Sequence, residues 1–112
     1  MTTDPASRLR ADLLRNTEQL AALEADRERI MDAAESSNAD DEHDPEGATI
    51  AFEREQLASL VERALRTRTE IESALAAIEA GTYGVCVTCG RPIGDERLEA
   101  RPHARTCITC AV

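Results

Sequence analysis

The chain has 112 residues, with 22 acidic side chains against 13 basic ones, all Arg, for a formal charge of −9. Phosphate backbones are gripped by basic stripes, so bare nucleic acid is excluded as the expected partner. Aromatics make up 2% of the chain, Phe52 and Tyr83 with no Trp, and Ala, Leu, Glu and Arg dominate, which favours long helices over a sheet or a large core. No apolar run approaches the roughly 20 residues that span a membrane, and the opening MTTDPASRLR has no apolar segment of a secretory signal. The expected location is cytoplasmic.

The first predicted element opens at Thr3-Asp4-Pro5, a capping side chain followed by Pro at the first helical position, where its missing N–H costs nothing. From there Leu9, Leu13, Asn16, Leu20, Leu23, Arg27, Ile30 and Ala34 alternate in steps of four and three, a coiled-coil seam with two polar interruptions. Ser36-Ser37-Asn38 is the expected stop, because these side chains compete with the backbone for hydrogen bonds. An acidic stretch, Asp40 to Gly47, follows. Asp44-Pro45 then starts a second seam through Ile50, Arg54, Leu57, Val61, Ala64, Arg68, Ile71, Leu75 and Ile78, closed by Ala80-Gly81. At 1.5 Å per residue each seam would run to roughly 40 Å.

Two helices of similar length joined by a short loop predict an antiparallel hairpin. Pairing across the loop sets Leu23 against Leu57, Leu20 against Val61 and Leu9 against Ile71. Leu75 and Ile78 then overhang the first helix, and the expected partners are Tyr83, Val85, Ile93 and Leu98. Arg27 and Arg54 are expected to snorkel outward towards Glu24, Glu28 and Glu53. An intermolecular coiled coil is the alternative to this monomeric hairpin.

The sharpest signal lies at the end of the chain. Cys86-Val87-Thr88-Cys89 and Cys107-Ile108-Thr109-Cys110 form C-x₂-C-x₁₇-C-x₂-C, the spacing of a tetrahedral four-cysteine zinc site. Two residues between ligands let one tight knuckle present both sulfurs, and the intervening loop returns the second knuckle opposite. Gly90, Pro92 and Gly94 are turn residues suited to that geometry. Four thiolates leave no open coordination position, so one structural Zn²⁺ is expected, which also supplies folding energy to a segment too small for its own core. Two disulfides are disfavoured in a reducing cytosol, and no βαβ pattern surrounds either pair as a thioredoxin-type redox site would require. His43 and His103 are expected to be solvent-exposed. No paired-carboxylate site, Ser/His/Asp set or phosphate loop is visible, so an enzyme is not expected.

The segment from Tyr83 through Cys86, Cys89 and Gly94, the run Arg97-Leu98-Glu99-Ala100-Arg101-Pro102, and the pair Cys107 and Cys110 together resemble the zinc finger of the DksA/TraR family. A helical hairpin with an acidic turn in front of the finger is similar to that family as well, so the resemblance runs from about residue 8 to 110. It implies a mainly α fold: an antiparallel coiled-coil hairpin over residues 1–80 with its acidic tip at about 36–47, then a C4 zinc finger over 81–112. It implies a bacterial transcription regulator that binds RNA polymerase through the secondary channel, carries acidic residues towards the catalytic Mg²⁺ region and does not contact DNA.

The family's tip reads Asp-x-x-Asp-x-Ala. Here Asp41 and Asp44 supply the pair and Glu46 stands where Ala would follow; other registers bring His43 with Glu46, or Asp44 with Gly47, to the paired positions. Ending two residues after Cys110, the sequence is expected to lack the C-terminal helix of many members. Family members that respond to guanosine tetraphosphate hold it with basic residues on the second helix, the Arg of LEARP and a basic residue after the last cysteine. Arg101 matches the finger position, whereas Glu70 and Ala111 replace the other two, so little dependence on that nucleotide is expected; compensation by the nearby Arg63, Arg66 and Arg68 is the alternative. A zinc-stapled adaptor for another protein and a thiol redox sensor are the competing functions. Residues 32–46, with seven acids and no Lys or Arg, favour the channel regulator over the adaptor.

Overall fold

A computed structural model of the chain describes residues 4–37 and 45–111. It contains three helices, α1 (Pro5–Ser37), α2 (Pro45–Ala80) and α3 (Asp95–Ala100). The described residues form no strand beyond an isolated antiparallel bridge between Val85 and Pro92. No helix among them is long and apolar enough to cross a membrane. Backbone contacts divide the chain into two compact units, one of Met1–Asn16 with Arg66–Val112 and one of Thr17–Leu65.

The first helix begins as its sequence predicts. The Ser7 amide donates to Asp4 Oδ2 at 3.3 Å, so Asp4 caps the helix and Pro5 occupies its first turn. The second helix ends in a Schellman turn: Thr82 N–H donates to the Ala77 carbonyl at 2.8 Å and Gly81 N–H to Ile78 at 3.2 Å. That turn needs a left-handed residue, and Gly81 has φ +77°.

In the unit formed by Thr17–Leu65, Leu23, Leu57 and Ala64 are buried, with Leu20, Ile30 and Val61 packed against them. Seam residues of both helices therefore share one buried cluster. Arg27 and Arg54, the two cations on this seam, are exposed, and Arg27 turns to Glu24 on its own helix at 3.3 Å. Its neighbour Arg29 pairs with Asp26 one turn away.

In the other unit, Leu9, Ile71 and Ala74 are fully or almost fully removed from solvent, with Leu13, Leu75, Ile78 and Tyr83 packed around them. Of the four residues expected to receive Leu75 and Ile78, Tyr83 packs on the same cluster as they do. Ile93 is buried in a separate cluster, with Leu98 packed against it, while Val85 is 42% exposed. The physical reason is local: Ile93 and Leu98 flank the cysteines and are drawn into the cysteine cluster, which has few other apolar atoms to bury. Asn16, a polar break in the seam, is 4% exposed, a placement that in coiled coils restricts register.

Candidate metal centre

The finger is built on two backbone knuckles. In the first, Gly90 N–H returns to the Cys86 carbonyl at 2.9 Å and Cys86 N–H reaches the Arg91 carbonyl at 2.8 Å. Gly90 adopts φ +77° to make that reversal, a conformation L side chains resist. In the second, Cys110 and Ala111 N–H both point to the Cys107 carbonyl, at 3.1 and 3.0 Å. Val87 N–H joins the knuckles by donating to the Arg105 carbonyl at 2.9 Å.

These turns bring one sulfur from each of Cys86, Cys89, Cys107 and Cys110 within 4.8 Å of all the others. Tetrahedral zinc with Zn–S of ~2.3 Å places neighbouring sulfurs roughly 3.8 Å apart, and Cys89 Sγ lies 3.8 Å from Cys107 Sγ. The cavity between the thiols therefore fits one tetrahedral ion. All four cysteines are free of disulfides.

The electrostatics also suit a cation. Backbone amides, that of Cys107 first and that of Cys89 next, hold the Cys86 thiol below its usual range, at about 6. Cys107 is held down chiefly by the Cys110 amide. Cys110 is pushed up to about 12, first by its hydrogen bond with the Cys107 side chain and then by burial. The first thiol of each knuckle is thus shifted towards its ionised form, the form that ligates a cation. Apart from the ligands, the cluster buries only Ile93 and Ala104, with Leu98 packed alongside. Such a small core needs the ion.

The RLEARP run serves as scaffold. Its Arg97 Nε donates to the Thr106 carbonyl at 2.8 Å, beside the third cysteine. The Glu99 carbonyl accepts from Arg8 of α1 at 2.6 Å, and the Pro102 carbonyl accepts from the Tyr83 hydroxyl at 2.9 Å. Burial pushes the Tyr83 phenol up, opposed by the charges of Arg8 and Arg105. Arg101 follows α3, exposed, with its amide on the Arg97 carbonyl at 2.7 Å.

His103 departs from the expected exposure. Its side chain is 20% exposed, and Nε2 stands 3.6 Å from Glu70 Oε2 of α2. Two residues on, Arg105 Nε donates to Ser73 Oγ at 3.1 Å. His103 and Arg105 therefore straddle the buried Ala104 and hold the loop against one face of α2. Neither these contacts nor the Arg8 bridge was legible beforehand, because single charged residues carry no spacing signal. Of the expected tip, Asp41 and Asp44 lie outside the described residues, as does His43, and Glu46 falls in the first turn of α2.

A four-thiol knuckle pair behind paired helices defines a C4-type zinc-finger protein. The prokaryotic dksA/traR C4-type zinc finger model matches residues 81–112. General stress protein 16O of Bacillus subtilis is 32% identical over 111 residues, covering 96% of this chain and 67% of that protein. The RNA polymerase-binding transcription factor DksA of Haemophilus influenzae is 36% identical over 69 residues, 59% of this chain and 48% of its own length. The solved structure of transcription factor DksA2 from Pseudomonas aeruginosa aligns with a TM-score of 0.62 and 29% identity, covering 94% of this chain and 78% of that one. The chain belongs to the DksA/TraR C4-type zinc-finger family. It spans less than half the length of the first curated relatives it matches.

Proposed function

We propose that this protein is a non-enzymatic, cytoplasmic transcription regulator that binds bacterial RNA polymerase through the secondary channel. Cys86, Cys89, Cys107 and Cys110 hold one structural Zn²⁺. The hairpin of residues 1–80 enters the channel, and Asp41, Asp44 and Glu46 at its turn act near the catalytic Mg²⁺. Carboxylates brought to such a metal centre alter its local charge without any contact to DNA. The observation that carries this reading is the joint presence of a closed four-thiol site and a helical hairpin, an arrangement similar to a transcription factor's over 94% of the chain. The protein works as a monomer.

A second reading, a zinc-stapled adaptor, draws support from an open apolar groove beside the seam, lined by Ile30, Met31, Leu57, Val61 and Leu65. Capture of the host's RNA polymerase by the zinc-loaded protein separates the two. In transcription with that polymerase, Asp41→Asn with Asp44→Asn should abolish the effect while affinity stays within a few-fold. Loss of binding by this variant would make the turn a docking element, and no binding by the unaltered protein would leave the adaptor.

A further inference from the structure

The unit of Thr17–Leu65 leaves an open groove beside its seam, lined on α1 by Arg27, Ile30 and Met31 and on α2 by a face that begins at Ala51. Within it Leu65 and Met31 are 49% and 48% exposed, apolar surface that is costly to hydrate. The α2 lining follows a second stripe. Ala51, Ala58 and Leu65 each stand one residue beyond the seam residues Ile50, Leu57 and Ala64. Arg54, Glu55, Val61 and Glu62 fill the three- and four-residue steps between them. The hairpin's own seam is satisfied inside the chain by the cluster of Leu23, Leu57 and Ala64. Apart from the half-buried Val61, the residues of the second stripe are exposed.

Charge decides what fits there. Residues 17–65 carry 14 acids against four Arg, so most of this surface repels another acidic chain. The groove is the exception, because its lining holds two of those arginines, Arg27 and Arg54, against three acids. The α2 stripe is also symmetric about its middle residue. Reversing the sequence about Ala58 brings position 51 to 65, 54 to 62 and 55 to 61, and all of these belong to the stripe. Arg54 thereby falls opposite a glutamate and Leu65 opposite an alanine. A patch that complements its own reverse is what a twofold contact requires, since the same residues serve both partners.

We propose that this groove is a self-association surface, on which the α2 stripe of a second copy of the chain docks antiparallel about Ala58. Alanine at the axis lets the two backbones approach closely, and Leu65 of each copy fills the space beside the partner's Ala51. Arg54 of each copy pairs with the partner's Glu62. Exposed pairs of this kind fix orientation more than they add affinity. The stripe spans roughly 21 Å, short of an obligate interface, so the dimer forms reversibly and is a resting form of the working monomer. On the polymerase reading above, the copies separate before either enters the channel; that consequence rests on the reading, whereas the dimer itself does not.

Sedimentation equilibrium of the full, zinc-loaded chain over a concentration series tests this, with helical circular dichroism and thermal midpoint recorded for every variant. The unaltered protein should pass from monomer to dimer within the micromolar range. Leu65→Ser, which alters the contact twice, should weaken association at least tenfold. Leu60→Ser, at a residue 43% exposed in a separate depression, should stay within twofold. Arg54→Glu and Glu62→Arg should each weaken association several-fold by setting like charges opposite each other, and the two together should return it to within threefold of the unaltered protein. That recovery reports a direct contact between copies, because residues 54 and 62 lie two turns apart on one helix and do not meet within it. A protein that stays monomeric into the high micromolar range overturns the proposal and leaves the groove to a different protein. A dimer that Leu65→Ser leaves intact, an equal loss in Leu60→Ser, or a charge exchange that fails to restore association also overturns it. No polymerase enters these measurements, so their failure leaves the polymerase reading standing, and failure of that reading leaves the dimer.

Discussion

Leu9→Ala tests the packing that joins the start of α1 to the end of α2. Leu9 is 0% exposed, against Ile71 at 1% and Ala74 at 0%, with Leu13, Leu75, Ile78 and Tyr83 around them. The substitution removes three carbons, and at ~0.8 kcal/mol for each the lost transfer free energy is about 2.4 kcal/mol. The cavity adds to this, less whatever the partly exposed neighbours recover by closing in. A total of about 3 kcal/mol is expected, within the usual range of roughly 2–5 for buried leucines. Domains of this size are stable by only about 5–15 kcal/mol, so the effect is large. Leu14, on the same helix but 61% exposed, should lose less than about 0.5 kcal/mol on the same change. Urea unfolding of zinc-loaded protein, followed by helical circular dichroism, reads both. With a slope of about 1.5 kcal/mol per molar urea, the midpoint of Leu9→Ala should fall by about 2 M and that of Leu14→Ala by under 0.4 M. Equal shifts in the two variants, or a shift below 0.5 M for Leu9→Ala, would refute the argument.

Metal analysis of protein purified under reducing conditions should find one zinc per chain, and none in Cys86→Ser or Cys107→Ser. Those variants should lose amide protection over residues 83–112 while keeping most of their helicity, since Ile93 and Ala104 are too little core without the ion; zinc-free native protein with an ordered finger would contradict this. Transcription with the protein's own polymerase should respond little to guanosine tetraphosphate beyond the no-protein control. Glu70 on the second helix places a carboxylate beside His103 and Ala111 follows the last cysteine, so two of the three cations by which family members hold the phosphates are replaced here. A large protein-dependent response, reduced in Arg101→Ala, would show that neighbouring arginines rebuild the site.

The sequence by itself determined whatever rests on period and spacing. Leu23 meets Leu57, and Leu9 meets Ile71, because a four-three alternation leaves each helix one apolar stripe and a hairpin one way to pair two such stripes. The cysteine site was equally legible, since two C-x-x-C pairs admit few arrangements other than one tetrahedral centre. Tertiary structure alone decided how the finger is held: Arg8 on the Glu99 carbonyl, Tyr83 on Pro102, Arg105 on Ser73 and His103 beside Glu70. Each contact joins residues at least 19 positions apart in the chain through a single polar atom, and isolated polar atoms leave no periodic trace. The grouping of Ile93 and Leu98 around the thiols has a different reason. Their apolar character predicted burial, but only the competition between two small clusters, one around Leu9 and one around the thiols, settled where.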